Sequence, residues 1–303
     1  MEISERVKEV NQRLAGGVSP AMATPITQKS GQVAVVIVPE LVDFLIARGV
    51  KGLFVGGTTG EGILLDVEER KKLHKAAVSA VNGRIPVLVH TGALTTGAAV
   101  ELADHAAEIG ADAMAAVTPI FYGIHEDALA AYFGEIANAA PQVPLFVYDI
   151  PHMAVNGISP NLAQRLFEEV PSLAGMKSSN QDAQIIRRLL DVLPEDRILL
   201  AGNEAIALGS LALGAEGMIS GLATAVPEPF VAMIEAFTAG DITEARRQQR
   251  LINRFLAVLP AGKRIGAVKS ILQARGVAVG PPVAPLPEVT VDVWGKLEEI
   301  LKA

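Results

Sequence analysis

Three short stretches hold the residue types that chemistry needs: "GGTTGEG" from Gly56, "VYDIP" from Val147 and "GMKSS" from Gly175. Lys177 ends an apolar run, where burial strips an ammonium of hydration and favours the neutral amine. A neutral amine attacks a ketone and forms a Schiff base, which then serves as an electron sink. The competing reading pairs Lys177 with a carboxylate at a rim. Making and hydrolysing a carbinolamine requires a proton shuttle beside the nitrogen, and the phenol of Tyr148 is of the right type. Its competing reading is a core tyrosine with its hydroxyl on backbone. Around Thr58 and Thr59, glycines let successive N–H groups approach a ligand and cradle an anion. The Thr58 hydroxyl is then placed to relay a proton to Tyr148. This loop is neither a Walker A loop nor a G-x-G-x-x-G fingerprint, and an ordinary tight turn is its plainer reading.

What must position these groups is a series of buried strands. Eight apolar runs begin at Gly17, Gly52, Pro86, Ala113, Pro144, Leu173, Ile198 and Gly217, at intervals of roughly 20–35 residues. Continuous rather than alternating apolar runs mark parallel strands buried on both faces. The intervening segments carry helix punctuation. Asp66 with Glu69 forms a capping box, Thr95 or Thr96 opens a helix that Gly110 closes, and Ser159-Pro160 starts another. Eight strand–helix units predict an α/β fold, a (β/α)8 TIM barrel, with a doubly wound open sheet as the runner-up. Beyond about residue 225 only helices are expected, with Asp241 and Glu244 forming another capping box. The expected division is therefore a barrel with a short N-terminal helix over 1–225 and a C-terminal helical region over 226–303.

In such a barrel the active site lies at the C-terminal ends of the strands. Lys177 is the one lysine at a predicted strand end, and no arginine passes the same filter. Tyr148 ends the fifth strand, while Thr58, Thr59 and Glu61 follow the second. None of the five histidines forms a metal-spaced pair. His74 and His105 are expected on solvated helix faces, whereas His90 and His152 are candidates for pocket contacts.

With the three motifs at this spacing, the chain resembles the dihydrodipicolinate synthase / N-acetylneuraminate lyase family from about Gly17 to its C-terminal helices. The resemblance implies that Lys177 is the Schiff-base lysine for pyruvate or a 2-oxo acid and Tyr148 the general acid/base. It implies that Thr58 and Thr59, with Gly57 beside them, hold the carboxylate and join the proton relay, and that Glu61 braces the loop. Gly202 and Ile219 match positions whose backbone faces substrate. Many members carry a tyrosine two residues after the Thr-Pro of strand four, reaching a neighbouring subunit's site. Here Phe121 stands there, with Tyr122 next to it. The arginine that grips an aldehyde's carboxylate in true dihydrodipicolinate synthases is replaced by Met153, and a thioether cannot make that bidentate grip. That departure favours a 2-oxo-3-deoxy sugar acid or related hydroxy-oxo acid. The alternatives are dihydrodipicolinate synthase itself, a keto-deoxy sugar acid dehydratase, and a 2-oxo acid binding protein without turnover. A homotetramer or homodimer is implied, and neither metal nor other cofactor.

Composition sets the outer limits. Of 303 residues, 50% are hydrophobic, enough for a large core, and a net charge of −7 opposes nucleic-acid binding. No apolar run reaches the ~18–20 residues of a membrane span. The amphipathic N-terminus does not read as a secretory signal, and the absence of cysteine suits a cytoplasmic protein.

Overall fold

The computed structural model describes residues 1–28 and 31–302. Each of the eight apolar runs contains one strand: β1 (Val18–Met22), β2 (Leu53–Val55), β3 (Val87–His90), β4 (Ala113–Val117), β5 (Leu145–Asp149), β6 (Leu173–Ser178), β7 (Ile198–Ala201) and β8 (Gly217–Ser220). They pair in parallel in chain order, and β8 pairs with β1 to close the barrel. The open sheet is thereby ruled out. The apolar runs are unbroken because both faces of each strand are covered. Along β4, Ala113, Ala115 and Val117 pack inside the barrel, while Met114 and Ala116 pack outward against the helices.

The helix Ile3–Leu14 sends Val7, Val10 and Leu14 into the same internal cluster as Phe54, Phe146 and Tyr148. The barrel's interior is thus a packed core, leaving the opposite end for the site. Helix starts obey the expected capping chemistry. The side chains of Asp66, Thr95, Ser159 and Asp241 accept N–H bonds from Glu69, Ala98, Leu162 and Glu244. Gly110 ends its helix at φ +69°. The reciprocal half of the first box is replaced: the Glu69 carboxylate accepts from the Val33 N–H at 2.7 Å and pairs with Lys72.

After β8 come the helices Glu228–Thr238, Ile242–Val258, Arg264–Ala274 and Val293–Lys302. The third of these supplies two cations to the barrel's upper end, Arg264 and Lys269. Among the described residues, no helix is long and apolar enough to cross a membrane.

Candidate active site

Lys177 reaches the barrel interior because of an irregularity in β6. Leu145 pairs with Leu173 but Phe146 pairs with Gly175, so Ala174 is an extra residue in the strand. Such a bulge reverses the side-chain alternation beyond it. Ala174 packs inside, and a Cβ on Gly175 would lie 3.0 Å from the Phe146 ring, so both positions face inward. Met176 then packs outward, and Lys177 faces inward opposite Tyr148, its register partner on β5. The bulge carbonyl is not orphaned: Asn11 Nδ2 donates to Ala174 O at 2.8 Å and to Asp196 O at 3.0 Å. Glycine is required at 175, since a Cβ there would lie 2.1 Å from Ile198 O.

The Lys177 side chain is buried, with Nζ 3.8 Å from the Tyr148 ring centroid and 4.3 Å from that of Phe54. Among the described residues its amine has no hydrogen-bond or carboxylate partner, so the rim ion pair is not formed. The hydroxyls of Thr58 and Tyr148 lie 3.3 Å apart, one donating to the other. The N–H groups of Thr58 and Thr59 donate to no group among the described residues. They are free to bind an anion.

These groups line one cavity of about 210 Å³, which also receives Gly202, Ile219 and His152. Gly57 packs behind it: a Cβ there would meet the Phe54 ring at 2.1 Å. Phe121 and Tyr122 lie outside, 77% and 71% exposed and edge-to-face with each other. A second cavity, about 250 Å³, adjoins the first across Thr58, Tyr148, Ile150 and Met153 and is lined mainly by apolar residues such as Ile63, Leu64 and Ile120.

Buried polar groups brace the cup from behind. The Asp149 carboxylate accepts from Ile158 N–H at 3.0 Å, Ser178 Oγ at 3.0 Å and Asn180 Nδ2 at 3.3 Å, tying the two strands together beside Tyr148 and Lys177. Burial raises its pKa above the ordinary carboxylate value, against the pull of those donors. His90 is buried at the end of β3 and lines the apolar cavity. Arg70 donates to the His90 carbonyl, and Val117 N–H lies 3.3 Å from its Nε2. Burial, then the charges of Arg70 and Lys177, hold His90 well below its usual pKa, and burial brings Arg70 down to about 10.

Two histidines depart from expectation. His74 is fully buried rather than solvated, with neither ring nitrogen hydrogen-bonded, and burial holds it well below its usual pKa. His105 is only partly exposed, its ring bonded to Lys71 O at 3.1 Å. Glu61 braces the loop as expected, by ion pairing with Lys269 at 2.5 Å and accepting from Val283 N–H.

The strand-end filter missed two charged groups in the Lys177 cavity, Glu204 and Arg264, along with Ser179, Gln181 and Asn203. Glu204 was legible, since it follows the Gly202 turn after β7. Arg264 was not, because it comes from a helix outside the eight strand–helix units.

Comparison with known proteins identifies the family and the fold. The family model for the dihydrodipicolinate synthetase family matches residues 14–303. The 4-hydroxy-tetrahydrodipicolinate synthase of Methanopyrus kandleri is 33% identical, over 94% of this chain and 95% of the relative. The N-acetylneuraminate lyase of Mus musculus is also 33% identical, over 95% and 92%. A solved structure of the Ruminococcus gnavus sialic acid aldolase, a catalytic lysine mutant, superposes with a TM-score of 0.91 at 29% identity, covering 96% of both chains. With matches of this extent to model, relatives and fold, the chain belongs to the dihydrodipicolinate synthetase family.

Proposed function

We propose that this chain is a class I lyase that forms a Schiff base between Lys177 and pyruvate or a 2-oxo acid. The observation that carries the reading is a buried amine with no acidic partner, resting on Tyr148 in one cavity with the unpaired amides of Thr58 and Thr59. Those amides hold the substrate carboxylate. The Lys177 amine adds to the 2-oxo carbon, and the carbinolamine loses water to give the imine. Tyr148, coupled to the Thr58 hydroxyl, supplies and recovers the protons of that exchange. The protonated imine accepts the electron pair released when the C3–C4 bond breaks and the C4 hydroxyl gives its proton to Tyr148, or when a C3 proton leaves to form the enamine that attacks an aldehyde. Water then hydrolyses the imine and frees the amine.

The preferred substrates are 2-oxo-3-deoxy sugar acids or related hydroxy-oxo acids. Condensation of pyruvate with aspartate semialdehyde is the second reading, favoured by the synthase relatives. The exposed Phe121 and Tyr122 suit a homodimer or homotetramer in which they reach a neighbouring subunit's site.

Lys177→Ala tests the assignment. Turnover of 2-oxo-3-deoxy acids should fall to background while circular dichroism and the unfolding midpoint show a folded protein. Retained turnover rejects the mechanism. Products separate the reactions, since cleavage releases pyruvate and dehydration does not. A borohydride-trapped adduct without any product would mark a binding protein.

A further inference from the structure

The Lys177 cavity is also lined by an ion pair, Glu204 with Arg264. Glu204 is 5% exposed, and both of its carboxylate oxygens are occupied. Oε1 accepts from Ser220 Oγ at 2.8 Å and Leu222 N–H at 2.9 Å, and Oε2 accepts from an N–H of Arg264. The Arg264 side chain, by contrast, is 47% exposed. It donates to Glu204 with one nitrogen, and its other N–H groups have no partner among the described residues. A guanidinium presents five donors in a rigid fork, so a single carboxylate contact leaves most of that fork unused. Here it faces the mouth of the same cavity that Lys177 lines.

We propose that Arg264 is the specificity residue that grips a carboxylate at the far end of the acceptor aldehyde, with Glu204 as its positioning residue. The proposal rests on the Schiff-base reading and narrows its substrates to hydroxy-oxo acids whose aldehyde half ends in a carboxylate, ahead of the sugar acids. The first carboxylate, next to the 2-oxo carbon, goes to the free amides of Thr58 and Thr59. Arg264 serves a second one, in the same cavity. Glu204 is suited to holding the guanidinium rather than meeting substrate, because its oxygens already accept three donors. Met153, in the loop after β5, cannot make such a grip. The grip comes from the C-terminal region instead of the loop after β5.

The test compares pyruvate condensation with succinate semialdehyde, butanal and glyceraldehyde. The first carries a distal carboxylate, the second none, and the third only hydroxyls. In the wild type, kcat/KM should favour succinate semialdehyde. Arg264→Gln should reduce that preference over both other aldehydes by about 10- to 100-fold, the span of a lost charge-assisted hydrogen bond. The loss should fall mainly in KM. Arg264→Lys, which keeps the charge without the fork, should fall between. Glu204→Gln should weaken the preference less than Arg264→Gln does. An unchanged ratio in Arg264→Gln, or an equal loss for all three aldehydes, overturns the proposal, as does a loss confined to glyceraldehyde. Borohydride trapping with pyruvate separates the two levels. A wild type that traps pyruvate but shows no acid preference overturns this inference alone, while one that forms no adduct overturns the Schiff-base reading and this inference with it.

Discussion

The upper end of the barrel has two sides that treat buried charge in opposite ways. On the side of β2 and β3, charges are closed off. Glu61 and Lys269 are 0% and 2% exposed, bonded to each other and to the backbone at Val283 and Pro281, and Arg70 is spent on His90. On the side of β6 to β8, the polar groups open into the cup: the Lys177 amine has no partner among the described residues, and Arg264 offers most of its fork. Both sides receive a cation from the helix Arg264–Ala274, five residues apart in the chain. The closed pair fixes the loop that holds Thr58 and Thr59, while the open pair is left able to meet a ligand. Burial alone therefore does not mark a functional charge. The mark is a donor that lines a cavity and whose capacity the fold leaves unused, as Lys177 and Arg264 do and the buried His74 does not.

The comparison breaks most severely at the closed pair. Lys269→Met strands the buried Glu61 carboxylate, and loss of one partner from a buried pair costs about 3–5 kcal/mol. Urea unfolding should register that loss, and a Glu61→Leu/Lys269→Met double variant should recover part of it. A loss below about 1 kcal/mol would show that the pair is not closed.

A smaller effect is expected at the bulge. Asn11→Ala leaves the buried Ala174 carbonyl without its donor, at a cost of about 1–3 kcal/mol. Because the bulge sets the phase of Lys177, the yield of pyruvate adduct should fall as well. A stability loss with full adduct yield would separate the bulge from the lysine.

Acid sharpens the contrast more gently. His74 and His90 both belong to the closed side, and their folded pKa values lie well below 6.5. Below about pH 6.5 the unfolded chain binds protons that the native fold excludes. Stability should therefore fall as pH drops from 7 towards 5, approaching about 1.4 kcal/mol per pH unit for each histidine. Asp149 acts in the opposite sense. Its raised pKa favours the folded state at low pH, and that contribution is lost as pH rises through the folded value. Unfolding midpoints measured across this range should show the decline, and His74→Leu should flatten it. A midpoint that rises on acidification would contradict the burial of neutral imidazole.

Much of this was legible before coordinates. The strands could be read because parallel barrel strands are apolar on both faces, a pattern local to each segment. The helix starts could be read because caps are local too. Lys177 and Tyr148 followed from their places at strand ends. The β6 bulge was not legible, since an extra residue leaves the apolar run intact while reversing its inside and outside. His74 was misplaced because its helix carries charged neighbours, and only packing against Gly56 shows which face is covered. Arg264 was invisible for a tertiary reason: a strand-end filter cannot detect a side chain delivered by a later helix.

The direct test of the open amine is to incubate the protein with pyruvate, reduce with borohydride and map the modified peptide by mass spectrometry. The account predicts one reduced pyruvate adduct, on Lys177, absent from Lys177→Ala. A protein left unmodified, or labelled at a different lysine, would contradict it.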